Sequence, residues 1–188
     1  MENRTNLLLA NALRFGLALA AVNFIIFLLY YILEVDIMSI SFGIISLILT
    51  IGIYFGALIY SNNHLKKTVF GGYLTYSQGL FNSFTVSAVS SIVNAVLMFL
   101  FYTFIDTEYL YEQMDKVIVK MQESGMIPAE QLEKTIAELE KVTPLSSAAQ
   151  SIWGGLLIGL IVALIISAIT KTKSNPFADQ PEDTNTTI

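Results

Sequence analysis

Four uninterrupted apolar stretches constrain this chain more than anything else in it. A helix rises about 1.5 Å per residue, so crossing a hydrocarbon core of about 30 Å takes about 20 consecutive apolar residues. Residues 13–33, 40–60, 81–105 and 152–170 meet that length, and none of the four contains an acidic residue. Lipid offers nothing to hydrogen-bond a bare backbone, so each stretch must close its own bonds as a helix. The expected fold is an all-α membrane protein of four transmembrane helices. Composition agrees, with 54% hydrophobic and 13% charged residues, where a soluble domain carries roughly 25% charge.

The first stretch has a competing reading as a secretory signal, since Arg4 precedes it and Ala18 and Ala20 flank Leu19 like a cleavage site. Cleavage there would leave a remnant from Val22 too short to span, and Arg14 would sit inside the apolar run. As a membrane helix the segment is coherent, because Arg14 lies near its start and reaches the interface. Lys and Arg near span ends set orientation. Arg4 and Arg14 lead the first span, Lys66 and Lys67 follow the second, and Lys171 and Lys173 follow the fourth, while residues 34–39 hold no basic residue. Both termini are therefore expected in the cytoplasm of a cell whose inner membrane holds the protein, with residues 106–145 outside.

That long connector carries nine acids against four lysines. Leu110, Met114, Val117, Ile118 and Met121 recur at helical spacing, Gly125 supplies a stop, Pro128 suits a new first turn, and Leu132, Ile136 and Leu139 form a second stripe. The pattern predicts an extracytoplasmic amphipathic hairpin whose faces meet through Leu110, Met114, Val117, Met121, Leu132, Ile136 and Leu139. Its acidic polar faces are unlike the Lys- and Arg-rich ones of helices that lie on lipid. Between the second and third spans, Gly71 and Gly72 give a flexible turn and a helix is expected to begin near Thr75 or Ser77. Residues 1–173 thus form one membrane domain. Residues 174–188, with Pro176, Pro181 and many Asn, Thr and acidic residues, read as a disordered cytoplasmic tail.

Two intramembrane patterns stand out. Gly155, Gly159, Ala163 and Ser167 recur every four residues along the fourth span, a ladder suited to close helix packing; Gly52 with Gly56, and Gly16 with Ala20, are shorter versions. The third span carries a polar stripe of Ser83, Ser87, Ser91 and Asn94, with Ser90 beside it, and Asn23 of the first span is a candidate partner for Asn94. Such groups either bond between helices, at roughly 0.6–2 kcal/mol each, or line a path for a solute.

Absences narrow the function. No charged residue lies deep in a span, which disfavours a proton-coupled transporter. There is no cysteine and one histidine, His64, so no metal-ligand cluster is expected. No phosphate loop, metalloprotease motif or Gly-x-Ser-x-Gly elbow occurs, and the neighbouring acids Glu138 and Glu140 read as surface charge. Neither catalytic nor cofactor-binding residues are expected. A net charge of -5 without a basic block argues against nucleic acid.

The order of local patterns resembles a family of uncharacterised bacterial membrane proteins, the domain of unknown function numbered four-one-nine-nine, familiar from Bacteroidota genomes. Lys66 and Lys67 lead through Gly71 and Gly72 into YLTYSQG at 73–79; FIDTEYL at 104–110 is similar to the family's exit from the third span; ESGMIPAEQLEK at 123–134 resembles its hairpin turn, and GGLLIGLIVALI at 154–165 its last span. Thr107 stands where the family pattern leads one to expect proline after Asp106, which leaves the third helix free to run on unbroken. The resemblance implies a four-span inner-membrane protein and supplies no functional residues. The reading that results is a non-enzymatic protein acting through helix and hairpin contacts, its partners being the bilayer and either further copies of itself or other membrane proteins. An uncoupled channel or small-solute transporter lined by the third-span stripe is the alternative.

Overall fold

The computed structural model describes residues 2–35, 39–125 and 128–172. The tail at 174–188, expected to be disordered, lies outside the described residues. Six α-helices follow one another: α1 (Glu2–Ile32), α2 (Ile40–Thr68), α3 (Tyr76–Leu100), α4 (Tyr109–Ser124), α5 (Ala129–Leu139) and α6 (Pro144–Thr170), and a π-helical turn, Phe101–Ile105, extends α3. No strand occurs among the described residues. Four helices are long and apolar enough to cross a membrane, over Thr5–Ile32, Phe42–Thr68, Tyr76–Ile105 and Pro144–Thr170.

These helices outrun the apolar stretches that announced them. At 31, 29 and 27 residues, α1, α2 and α6 are about 40–46 Å long, enough for the hydrocarbon and part of both interfaces. The added turns contain polar residues in helical structure, and Asn11, Ser61 and Asn62 among them are buried and bonded between helices. Helix α2 continues to Thr68, and the Gly72 amide bonds the Lys66 carbonyl at 2.8 Å beyond its end. Gly71 and Gly72 have φ of 58° and 97°, a left-handed turn that a Cβ disfavours. Thr75 then caps α3 in a reciprocal capping box with Gln78, so the helix begins at the expected place. Thr143 caps α6 with Ser146 in the same way, and Pro144 fills the first turn.

Helix α3 is the centre, packed along most of its length on α6 and α1, while α2 joins chiefly through its C-terminal half. The core gathers Ala12 and Leu19 of α1, Leu58 of α2, Val86 of α3, and Val162 and Ile166 of α6. Close approach depends on residues without bulk. A Cβ on Gly155 would stand 2.8 Å from Ser91 Cβ, one on Gly159 would stand 2.6 Å from Ser87 Cβ, and one on Gly16 would stand 2.6 Å from Val89 Cβ. Ala163 and Ser167 are fully buried on the same face of α6. The loop before α3 is fastened to the end of α6, where the Leu74 amide donates to Thr172 Oγ1 at 3.0 Å and the Thr172 amide to the Leu74 carbonyl at 2.8 Å.

The third helix does not run on into the hairpin. Its last turn widens so that the Asp106 amide bonds the Phe101 carbonyl at 3.0 Å, five residues back. Asp106 then becomes extended, and its Oδ1 accepts the Tyr109 and Glu108 amides at 2.9 and 3.2 Å. Absence of proline at 107 was not enough to continue the helix, because the Asp106 carboxylate satisfies the first amides of a new one. Helices α4 and α5 pack on each other. Leu110 is buried, and Met114, Val117, Met121, Leu132, Ile136 and Leu139 are half-buried while the charged positions are exposed. Gly125, at φ 60°, ends α4 in the left-handed conformation.

Replacing Gly155 or Gly159 with Leu should force α6 off α3 and cost about 1–3 kcal/mol. A lowered thermal midpoint in detergent is expected for both. Gly154→Leu is the matched control, since a Cβ there meets no described atom within 4 Å, and its midpoint should stay at the wild-type value.

Candidate functional site

Three places concentrate polar chemistry: a buried network where the ends of the four long helices nearest the chain termini meet, a cavity inside the bundle, and a groove beside the hairpin.

The network joins all four long helices. Asn11 of α1 donates to Ser61 Oγ of α2 at 3.0 Å and to Asn82 Oδ1 of α3 at 2.9 Å. Asn82 donates to Ser61 Oγ and to Asn62 Oδ1, both at 2.9 Å. Asn62 in turn donates to Ser83 Oγ of α3 at 3.0 Å and to Thr170 Oγ1 of α6 at 2.9 Å. His64 Nδ1 lies 3.0 Å from Asn11 Oδ1, and with the Asn11 amide engaged by Ser61 and Asn82 it is the imidazole that donates. Each carboxamide has both amide hydrogens and its oxygen engaged. Asn62, Asn82, Ser61 and Ser83 are fully buried. The Asn, Ser and Thr groups satisfy one another across the bundle, and their effect is to tie the four helices together.

None of Asn11, Ser61, Asn62 or Asn82 was singled out from the sequence. Apolar windows starting at residue 13 and ending at residue 60 stop just short of Asn11, Ser61 and Asn62, which then read as connector. A usable signal existed, since Asn11, Asn62 and Asn82 each lie one or two residues from a window edge.

The third-span stripe divides into two parts. Ser83 and Ser87 are buried in packing, Ser83 against Asn62 and Ser87 against Gly159. Above them Ser90, Ser91 and Asn94 line a cavity of about 260 Å³, together with Asn23, Thr50, Ile51, Tyr54, Phe55, Ser151, Gly155, Ile158 and Val162. Asn23 and Asn94 are brought to the same cavity but not bonded to each other. Asn94 reaches Ser90 Oγ at 3.5 Å, and Asn23 has no hydrogen bond among the described residues. Gly52 and Gly56 lie elsewhere, on an exposed face of α2 where a Cβ would have no described atom within 4 Å.

At the hairpin end a groove of about 610 Å³ runs between the end of α1 and the start of α4, lined by Tyr30, Tyr31, Glu34, Asp106, Tyr109, Glu112 and Lys116 among others. Aromatic packing builds its floor, with Phe101 fully buried and its ring 4.9 Å from Phe27 and 5.0 Å from Tyr31, both edge-on. The Tyr31 hydroxyl donates to Asp106 Oδ2 at 2.8 Å. That bond, with the Tyr109 and Glu108 amides, holds the Asp106 carboxyl below its ordinary value. Tyr109 moves the other way, raised by burial and by the negative charges of Asp106 and Glu112.

Four long apolar helices locked together by internal polar bonds define a multi-pass membrane protein. A family profile matches residues 14–172, and the chain belongs to that family, described as Protein of unknown function (DUF4199). No curated protein and no solved structure matches the chain.

Asn82→Leu would strand Asn11, Ser61 and Asn62 without their shared partner, and a loss of about 1–3 kcal/mol is expected in detergent unfolding. Asn94→Leu, which breaks no bond between helices, should leave stability near wild type.

Asp106 titrates with a definite sign. Its folded pKa is depressed, so its contribution is complete above the ordinary carboxyl value of 3.8 and is lost as pH falls through the lower folded value. Near-ultraviolet dichroism of the tyrosine cluster should change over that acid range in the wild type, and Asp106→Asn should remove that part of the change.

Proposed function

We propose that this chain is a non-enzymatic inner-membrane protein that acts by association, presenting the outward face of α2 to a transmembrane helix of a second copy or of another membrane protein. One observation carries the reading. The two small-residue motifs of the longer spans are used differently: Gly155 and Gly159 are filled by α3, whereas Gly52 and Gly56 face away from the bundle. At about 100° per residue they lie across the helix from Thr50 and Tyr54, which line the cavity. Ile45 and Leu49 continue the same outward face and are exposed. Without bulk at positions 52 and 56, two helix backbones can approach closely, and the packing gained drives association where the hydrophobic effect supplies none.

The hairpin fits this reading as a cap that uses its apolar stripes on itself and leaves a charged exterior. What weighs against a channel lined by the third span is the burial of Ser83 and Ser87 in packing, which takes half the stripe out of any path. The basic residues at the ends of the spans support a topology with both termini in the cytoplasm and the hairpin outside.

Gly52→Leu and Gly56→Leu test association cleanly, because both side chains point away from the fold. In membranes, cross-linking of the wild type should give a discrete dimer or heteromer, and each variant should weaken it tenfold or more at unchanged thermal stability. Equal cross-linking in wild type and variants would remove the basis for the reading. Orientation is tested on a chain that has no native cysteine. In intact cells a membrane-impermeant maleimide should label Glu138→Cys and leave Tyr73→Cys untouched, and the reverse pattern would invert the topology.

A further inference from the structure

Inside the bundle, the cavity between α2 and the other three long helices combines two properties that pull in opposite directions. Every residue that lines it belongs to one of the four membrane-crossing segments, and none is charged. It nonetheless collects side chains able to hydrogen-bond, among them Asn23, Thr50, Ser91 and Asn94. The polar network near the chain termini shows what this fold does with carboxamides that only stabilise it: all their hydrogen-bonding positions are met by neighbouring helices. Asn23 is treated differently. Its carboxamide has no partner among the described residues, and that of Asn94 has one long bond of 3.5 Å within its own helix.

An amide moved into an apolar medium without a partner costs roughly 2–7 kcal/mol, and lipid tails cannot supply one. Leu at either position would cost nothing of that kind and would fit a lipid-filled gap. Two carboxamides with unmet capacity, turned to one cavity from α1 and α3, therefore mark a place where a hydrogen-bonding molecule enters. We infer that this cavity is a binding site for an uncharged amphiphile, a hydroxyl- or carbonyl-bearing head group held by Asn23 and Asn94, with an apolar tail left in the bilayer. Three features set the chemical class. Absence of any charged lining residue excludes an ionic head group, whose desolvation nothing here would offset. A volume of about 260 Å³, many times what a single water needs, holds a small ring or a glyceryl head but not a whole lipid. The aromatic and aliphatic walls, Tyr54, Phe55, Ile158 and Val162, suit the first carbons of a tail.

Helix α2 supplies the access. Its C-terminal half is tied into the bundle through Leu58, Ser61, Asn62 and Leu65, all fully buried, whereas Ile44, Ile45, Leu47, Ile48 and Leu49 are exposed. Thr50 and Tyr54 stand where the attached part gives way to the exposed part, so the cavity opens beside a helix segment held mainly by the Phe42 ring packed on Tyr30 of α1. The site is independent of the association face, which lies on the other side of α2.

The test is equilibrium binding of two radiolabelled probes, 1-monooleoylglycerol for a hydroxyl head and a decyl-substituted benzoquinone for a carbonyl head, to the full chain in neutral-lipid discs, with phosphatidylglycerol as the charged comparison. Saturable binding of at least one neutral probe at about one per chain is expected, with phosphatidylglycerol showing none. Asn23→Leu and Asn94→Leu should each weaken it tenfold or more. Thr50→Val, nearly isosteric and without the hydroxyl, provides a variant whose folding is not in question and should weaken it severalfold. Gly52→Leu should bind as the wild type does, so loss of association and loss of binding separate. Unsaturable partitioning of both neutral probes, or affinities unchanged in the asparagine variants at intact fold, would overturn the inference and leave the cavity to water.

Discussion

In hydrocarbon a polar group has only other protein groups to bond, and the rest of this structure depends on how that requirement is met by three asparagines. Asn11, Asn62 and Asn82 come from three helices, and through Thr170 they reach the fourth. Individual bonds of this kind in membranes contribute little, about 0.6 kcal/mol on average. Their force lies in exclusion, since sliding α1, α2 or α3 by one turn would leave more than one buried carboxamide group unpaired at once. The network thereby selects one register among α1, α2 and α3, and α6 adds its own by setting Gly155 opposite Ser91 and Gly159 opposite Ser87. Close α3–α6 contact at these glycines reinforces the arrangement by dispersion.

The consequences spread unevenly along α2. One end is pinned by the network and by Leu58 and Leu65; the other is largely exposed and rests on Tyr30 through Phe42, and the cavity lies between them. The proposed association through Gly52 and Gly56 and the proposed entry of an amphiphile beside Thr50 would use different faces of this one helix. An occupant on either face would bear on how far the free half stands from α3, which links the two proposals physically without making either depend on the other. At the far end the bundle is closed by aromatic packing around Phe101, and the wide turn there lets Asp106 be shared between Tyr31 and the start of α4. The hairpin's direction is thus set from within the last turn of α3.

Much of this was legible beforehand. The number of spans, the small-residue ladder of α6, the start of α3 at Thr75 and the stripes of the hairpin all follow from local pattern, because helical periodicity and apolar length are properties of consecutive residues. The break at Asp106 was less so. A missing proline favours continuation, and only the geometry shows the carboxylate capturing the next amides. The polar stripe illustrates the other limit. Ser87, Ser91 and Asn94 share one helix face and look equivalent in sequence, yet the first is buried in packing and the others border a cavity.

What the chain determined by itself is the membrane class, the four spans, the helical hairpin and the membership of its family, since each follows from hydrophobicity, periodicity or local motifs. Tertiary structure alone decided which polar residues were paired. Asn11 and Asn82 are 71 positions apart, and Asn62 and Thr170 are 108 apart, so nothing local marks either pair. It also decided that Gly155 and Gly159 are filled while Gly52 and Gly56 are open, and that Asn23 meets a cavity instead of a partner. Those outcomes depend on the relative position of helices, and a single helix carries no record of what will stand beside it.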